Sequence, residues 1–104
     1  MKIIKNKKYI DVIYCTSFIN RLKGFMFIKN IDYALCFPKC NSIHTFFMLK
    51  PIDVIMTDKD YNILYIYKCV KPYKIILPKK NVYYTFEFPI NTFEYKINDK
   101  IEVI

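Results

Sequence analysis

The stretch IDVIMTDKDYNILYIYK, residues 52–68, predicts two neighbouring strands joined by a tight turn. Residues 52–57 and 63–68 are rich in β-branched and aromatic side chains, which favour extended structure. The polar run between them, residues 58–62, has the composition of a turn. The second run alternates in the manner of a hairpin partner, so an antiparallel pair is expected here.

Similar signals on both sides of this hairpin predict a mainly β protein, or α+β by strict count. Thr16 and Ser17 offer a helix N-cap and Gly24 a left-handed C-terminal cap, so one short helix is expected near residues 17–24. A long loop or interrupted edge is expected over 69–81. We therefore expect a single domain, residues 1–104, with the architecture of a small β-sandwich or partly open β-barrel. Its other strands are predicted at 2–5, 9–14, 33–37, 42–48, 82–88 and 100–104.

The composition excludes several classes of protein. Of the 104 residues, 54% are hydrophobic and 18% are aromatic, which excludes intrinsic disorder as the main state. No apolar run approaches the roughly 20 residues needed to cross a bilayer, so no membrane span is expected. The first eight residues carry charge without an apolar segment behind them, so we expect no signal peptide and a cytoplasmic location.

The net charge of +8 has two interpretations. Ile, Lys, Asn, Tyr and Phe supply 61 of the 104 residues, and all five have A/T-rich codons. A biased genome therefore accounts for both the lysines and the aromatic residues. The other interpretation is functional, because a basic surface attracts nucleic acid or an anionic membrane.

Three motifs resemble those of the small uncharacterised proteins of domain-of-unknown-function family 192. They are CTSFINRLKGFM at 15–26, FFM at 46–48 and PIDV at 51–54, followed by the turn at 60–62, FEF at 86–88 and ND at 98–99. The resemblance covers residues 10–104 and implies a compact, mainly β fold. It implies no reaction, since the family has no established activity. This sequence departs from the family in the short segment between Met48 and Pro51, where members commonly carry Lys-Asn-Thr and two further residues.

Arg21 and Asp53 are predicted to form a partly buried structural pair that ties the helix to the sheet. Arg21 is the only arginine beside 16 lysines, which indicates a need for a planar, bidentate guanidinium. Asp53 lies between two apolar residues of a predicted strand and requires a partner if it is buried. A ligand-binding or catalytic role and two independent solvated charges are the alternatives.

The cysteines are interpreted as buried free thiols, and no cofactor or metal is expected. Cys36, Cys40 and His44 are the one arrangement that could hold zinc, with Cys15 or Cys69 as a fourth ligand. Structural zinc sites usually have tighter Cys-x2-Cys spacings, and no second pair of this kind is present. Nucleophilic catalysis by Cys40 with His44 as base would require the loop between them to bring the two side chains together.

The segment from Tyr61 to Phe86 contains five lysines and no acidic residue. Lysines that contact phosphates, with aromatic rings that stack on bases, are how small β domains bind single-stranded nucleic acid. This gives an alternative function that depends on the five lysines converging on one face. The residues concerned are Lys68, Lys71, Lys74, Lys79 and Lys80, with Tyr65, Tyr67 and Tyr73.

The leading hypothesis is a small non-enzymatic binding or accessory domain that takes a protein partner or a small ligand. Its contact site is predicted around Phe46, Phe47 and Met48, for which ordinary core packing is the competing interpretation. Single-stranded nucleic-acid binding is the second hypothesis. An uncharacterised enzyme that uses Asp53, or Cys40 with His44, is the third.

Overall fold

The computed structural model of the protein describes residues 1–17 and 23–104. Within these residues the chain forms nine strands, and no helix there is long and apolar enough to span a bilayer. The helix predicted near 17–24 falls largely outside the described residues and stays a prediction. Gly24 has a φ of 50°, which confirms the left-handed conformation expected at that position. The strands are β1 (Lys2–Lys5), β2 (Lys8–Tyr14), β3 (Ala34–Pro38), β4 (Ile43–His44), β5 (Ile52–Thr57), β6 (Ile63–Val70), β7 (Ile75–Ile76), β8 (Tyr84–Pro89) and β9 (Glu102–Val103).

Seven of these strands form one curled sheet in the order β6-β5-β8-β3-β2-β1-β9, and β4 pairs with β7 in a small second sheet. Neighbours are antiparallel except β2 and β3, whose parallel pairing requires the long crossover between them. The sheet curls because the chain before β9 returns to the start of β6. There the Ile63 N–H donates to the Asp99 carbonyl at 2.8 Å. The predicted mainly β fold is confirmed, in its partly open barrel form.

Two hydrophobic cores cover the two faces of the sheet. All six residues of β5 are buried, and their side chains alternate, with Ile55 in the first core and Val54 in the second. The same alternation on β8 places Phe86 in the first core and Glu87 on the side of the second. Larger members of the first core are Ile3, Ile63, Phe86, Phe88 and Ile101, and those of the second are Phe25, Phe37, Met48, Ile52 and Met56.

The strand predicted over residues 42–48 is wrong except at residues 43 and 44, which form β4. Only β4 is extended, and the chain then turns, with Phe47 in the left-handed conformation at a φ of 62°. The Thr45 N–H still donates to the Lys74 carbonyl, at 2.9 Å, in register with the β4–β7 pair. The turn that follows is closed by the Met48 N–H, which donates to the Thr45 carbonyl at 3.3 Å. In the segment 69–81, the predicted interrupted edge is β7, which pairs with β4.

Asp53 fastens β5 to the ends of two neighbouring strands. Its Oδ1 accepts the Cys69 N–H at 2.8 Å, and its Oδ2 accepts the Asn91 N–H at 2.9 Å and the Lys68 ammonium at 2.8 Å. The side chain of Asp53 is 5% exposed, whereas that of Lys68 is 42% exposed. Arg21 lies outside the described residues, so its predicted pair with Asp53 stays a prediction.

We expect Asp53→Asn to lower the free energy of unfolding by about 3 kcal/mol, because the amide nitrogen would face N–H groups that the carboxylate now accepts. Lys68→Met is the matched control and should cost about 1 kcal/mol or less, since this ion pair is open to solvent. Urea unfolding measures both values. Equal losses in the two variants would contradict a structural role carried by the buried backbone bonds.

Candidate functional site

Three loops meet at one edge of the second core. They contain residues 26–28, 45–49 and 71–74, which are distant in sequence. The Phe27 N–H donates to the Phe47 carbonyl at 3.0 Å, and the Tyr73 N–H donates to the Thr45 carbonyl at 3.0 Å. An isolated bridge between Met26 and Met48 joins the first two loops again. The backbone therefore holds the three loops in one arrangement.

Thr45 is the buried centre of this arrangement, with 1% of its surface exposed. Its hydroxyl donates to the Lys71 carbonyl at 2.7 Å and accepts the Lys74 N–H at 2.8 Å. Both partners belong to the loop that follows β6. One hydroxyl thus satisfies two backbone groups that have no strand partner to bond.

Four aromatic rings stand on these loops and form what we call the aromatic platform: Phe27, Phe46, Phe47 and Tyr73. Ring centroids are 5.7 Å apart for Phe27 and Phe47, 5.8 Å for Phe47 and Tyr73, and 6.2 Å for Phe46 and Tyr73. Phe27 is 65% exposed and Tyr73 62%. A contiguous group of exposed rings on a small domain is characteristic of a contact surface.

The backbone under the platform is strained. Phe27, Phe47 and Tyr73 all have φ between 62° and 64°, a region that costs a residue with a β-carbon about 1 kcal/mol or more. Such conformations persist only where surrounding bonds enforce them, and they cluster at functional sites. The chain contains one glycine, so aromatic residues occupy positions where a glycine would be unstrained.

The contact site predicted around residues 46–48 divides between surface and core. Phe46 and Phe47 are exposed platform residues, whereas Met48 is buried in the second core. Phe27 and Thr45 could not be predicted as site residues. Nothing local indicates that Phe27 meets the 45–49 turn, or that the Thr45 hydroxyl bonds to the loop at 71–74. The sequence indicates Tyr73 only as a member of the lysine-rich segment.

A cavity of about 110 Å³ lies beside the platform and reaches the Glu87 carboxyl. Glu87 is 2% exposed, and among the described residues its Oε1 has no hydrogen-bond partner. Desolvation by burial raises the pKa of Glu87 from its ordinary 4.5 to about 8. A β-carbon on Gly24 would come within 3.4 Å of this oxygen. The cavity is lined by Lys23, Gly24, Phe37, Cys40, Ser42, Ile43, His44, Met48 and Glu87.

Glu87 was also missed as a site residue. The available signal was an acidic residue between Phe86 and Phe88 on a strand predicted from aromatic alternation. A carboxyl at that position is buried if the strand is central, and exposed if one face of the sheet is open. The Glu87 carboxyl is buried because β8 lies between β5 and β3, which the sequence does not reveal.

Cys40 and His44 line the same cavity but bond to backbone groups. The Cys40 thiol donates to the Ser42 carbonyl at 3.1 Å, and His44 Nδ1 accepts the Phe46 N–H at 3.2 Å. Cys36 lies in the first core, on the opposite face from Cys40. Among the described residues no three His, Cys, Asp or Glu side chains are grouped as metal ligands.

The four thiols are free, and the prediction that they are buried is confirmed for Cys15 and Cys36. Cys40 is half-buried. The prediction is wrong for Cys69, which is exposed at the end of β6. Burial raises the pKa of the Cys36 thiol to about 12 and that of Cys15 to about 11, so neither is a reactive thiolate at neutral pH.

Among the residues of the segment 61–86, Lys68 lies apart from Tyr65 and Tyr67. Lys68 bonds to Asp53 and lies with Ile66 beside the first core, whereas Tyr65 and Tyr67 pack half-buried against the second. The ammonium of Lys79 lies 5.9 Å from the centre of the Tyr65 ring, and Lys80 is exposed. Lys71 and Lys74 flank Tyr73 in the loop that carries its platform ring.

We expect Thr45→Val to lower the free energy of unfolding by about 2 kcal/mol, because the Lys71 carbonyl and the Lys74 N–H would lose their buried partner. Thr45→Ser keeps the hydroxyl and should retain most of the stability. Urea unfolding and amide hydrogen exchange at Phe27 and Tyr73 are the measurements. Unchanged exchange in Thr45→Val would show that the hydroxyl does not hold the platform.

Glu87 should make stability fall as pH rises. Between pH 4.5 and 8 the unfolded chain has released the Glu87 proton and the folded protein still holds it. The free energy of unfolding therefore decreases by about 1.4 kcal/mol per pH unit from this group, and levels off above pH 8. Glu87→Gln removes this dependence. Urea unfolding from pH 5 to 9 tests it, and parallel profiles for the two proteins would contradict the raised pKa.

Two solved structures share this fold. A protein of unknown function from Novosphingobium aromaticivorans matches with a TM-score of 0.79 and 16% identity, over 98% of this chain and 82% of that one. A Sinorhizobium meliloti protein, described as a "putative transcription regulator", matches with a TM-score of 0.81 and 17% identity, over 97% of this chain and 89% of that one. At these identities the likeness establishes the fold alone. Among curated proteins, none matches this sequence.

The sequence itself matches a family model over nearly its whole length, from residue 1 to residue 103. This confirms the resemblance carried by the motifs at 15–26, 46–48 and 51–54. The chain belongs to domain-of-unknown-function family 192, DUF192, described as "Uncharacterized ACR".

Proposed function

We propose that the protein is a small non-enzymatic binding domain whose contact surface is the aromatic platform, and that its ligand is a partner protein or a small molecule. The observation that carries the proposal is the group of four exposed rings held by three converging loops. Three of these rings stand on left-handed backbone, a strained conformation of the kind that clusters at functional sites.

The physics of binding favours such a surface. Aromatic side chains supply a large contact area and have only two side-chain torsions to immobilise. The hydrogen bonds beneath the platform already hold the rings in position, so little ordering remains for the binding step. Large, well-supported aromatic residues are also those that dominate measured binding energies at interfaces.

The basic sequence of the loops that carry the platform indicates the kind of partner. The segments 26–29, 43–50 and 71–77 contain four lysines and no acidic residue. A partner surface that combines an apolar centre with carboxylates at its rim would complement them. The lysines are Lys29, Lys50, Lys71 and Lys74.

Single-stranded nucleic acid is the second candidate ligand. The observation in its favour is Tyr73, an exposed ring between Lys71 and Lys74. A base stacked on this ring would place its phosphates near both ammonium groups. Lys68 is committed to Asp53, and Tyr65 and Tyr67 are half-buried, so the wider surface over 61–86 has less support.

Catalysis has less support than binding. Two backbone N–H groups and the Lys68 ammonium occupy the Asp53 carboxylate. The Cys40 thiol and His44 Nδ1 are each bonded to the backbone, and no hydrogen bond joins these two side chains among the described residues. Neither arrangement has the nucleophile–base contact that such an enzyme requires.

We expect the double variant Phe47→Ala, Tyr73→Ala to weaken partner binding at least about tenfold, because each ring removed is a candidate hot spot. Tyr9→Ala is the matched control, since Tyr9 is equally exposed, on β2. Proteins captured from a native lysate are compared quantitatively between wild type and both variants. A platform partner is retained by wild type and by the control and is lost from the double variant.

The same three proteins are then titrated with fluorescein-labelled oligothymidine and oligouridine. Nucleic-acid binding at the platform would weaken with salt, by about 0.7 in the logarithmic slope for each phosphate contacted. It would also be lost in the double variant. Equal retention of all ligands by wild type and the double variant, in protein capture and in oligonucleotide titration, would contradict the proposal.

A further inference from the structure

The cavity beside the platform has a polar mouth and a buried end. Lys23 is exposed, and Ser42 and His44 are half-exposed, so they surround the opening. Phe37, Met48 and Glu87 are fully buried and form its inner wall. The cavity therefore connects the surface with a carboxyl group inside the second core.

Glu87 presents a hydrogen-bond donor to this cavity. Among the described residues no cation is bonded to it, and desolvation in this apolar interior favours the protonated form of the carboxyl. In that neutral form the group carries an O–H. Its Oε1 has no partner in the described part of the protein, so the carboxyl retains bonding capacity on the cavity side.

The other polar groups at the mouth are also suited to donate. Lys23 carries an ammonium, and Ser42 a hydroxyl. His44 Nδ1 accepts the Phe46 N–H, so a neutral His44 ring holds its proton on Nε2. This N–H takes no part in the bond to Phe46. The Cys40 thiol is directed to the Ser42 carbonyl. With Glu87 neutral, the described wall contains no negative charge.

We propose that this cavity binds a small carboxylate, which accepts a hydrogen bond from the Glu87 carboxylic acid and is paired by the Lys23 ammonium. Hydrogen bonds from a neutral acid to a carboxylate are charge-assisted and strong. A volume of about 110 Å³ corresponds to about three or four water molecules at about 30 Å³ each, which suits a molecule of the size of acetate.

A cationic ligand is the less favoured occupant. It would require Glu87 to ionise inside the core, and it would meet the Lys23 ammonium at the mouth. The whole chain carries a net charge of +8, which attracts anions and repels cations. These charges favour an anion at each stage of entry.

This proposal does not rest on the platform as a contact surface, because the cavity is a separate space with its own buried carboxyl. The platform variant Phe47→Ala, Tyr73→Ala should therefore leave carboxylate binding unchanged. Failure of the one proposal is in this way distinguishable from failure of the other.

The test is an NMR titration of the full chain with sodium acetate at pH 7 and constant ionic strength. The reporters are the Gly24 amide and the Met48 methyl group, both on the cavity wall. We expect saturable shifts at these two positions and none at the Tyr9 amide. Acetamide and methylammonium serve as neutral and cationic probes of similar size. Saturation by either probe at least as tight as by acetate, or no saturation by acetate, would overturn the proposal.

Variants assign the bonds. Glu87→Gln keeps a neutral donor of the same shape, so acetate should still bind at pH 7. Lys23→Gln should weaken acetate binding about fivefold, as expected for a solvent-exposed ion pair. Lys59→Gln, an exposed residue of the β5–β6 turn, is the matched control and should have no effect. Equal binding by the Lys23 and Lys59 variants would remove Lys23 from the site.

The pH dependence of acetate affinity distinguishes a Glu87 that bonds to the ligand from a Glu87 with a structural role alone. Acetate affinity in the wild type should fall about tenfold between pH 7 and 9, as the Glu87 acid ionises with its pKa of about 8. Glu87→Gln should abolish this fall. The other titratable groups facing the site, Lys23, Cys40, His44 and Cys15, are common to both proteins. The same fall in the variant would exclude Glu87 as the donor.

A second titration distinguishes the two sources of a carboxylate. N-acetyl-aspartate N-methylamide presents the group as a peptide side chain, whereas acetate presents it free. Binding of both at similar affinity would support an acidic side chain of a partner as the ligand. Binding of acetate alone would support a free small acid.

Discussion

The antiparallel pairing of β5 with β8 is the constraint on which the rest of the structure depends. Both strands are central, so both of their faces are covered by hydrophobic side chains. Every polar residue on them must then find a partner inside the protein or lose its charge. Thr85 donates to the Cys40 carbonyl, and Asp53 accepts two backbone N–H groups and an ammonium. Among the described residues Glu87 Oε1 has no such partner, which leaves this carboxyl available to the ligand that we propose.

The second feature of the molecule is the replacement of glycine by bulky residues at tight turns. With Gly24 as the sole glycine, left-handed positions in the described chain are occupied by aromatic, lysine, asparagine and cysteine residues. Outside the platform, such positions lie in turns and loops or, at Cys69, in the irregular end of β6. At Phe27, Phe47 and Tyr73 the left-handed backbone exposes three rings beside one another, supported by the hydroxyl of Thr45. In the function that we propose, this strained backbone orients the rings of the contact surface.

Much of the fold could be predicted because β-strand signals are local. The hairpin at 52–68 and the first two strands follow from the alternation of β-branched and aromatic residues with polar turns. The segment 42–48 has equally strong β propensity and still forms a turn after His44. The Thr45 hydroxyl bonds to backbone groups 26 and 29 residues away, and the Met48 N–H turns back to the Thr45 carbonyl, so no property of the segment itself reveals where its strand ends. Such hydrogen bonds between distant segments override the local β-strand propensity.

The candidate sites, like the fold, were predictable from the sequence in part. The sequence by itself determined the mainly β class, the family, the basic charge and the residues that carry chemistry, including Phe46, Phe47, Asp53, Cys40 and His44. Only the tertiary structure decided which of these are neighbours: it separated Met48 from the two phenylalanines, placed Lys68 with Asp53, and joined Glu87 to the cavity of Cys40 and His44. The physical reason is that side-chain chemistry is a property of one residue. Burial and proximity are properties of the strand order, and that order is set by contacts between residues far apart in the chain.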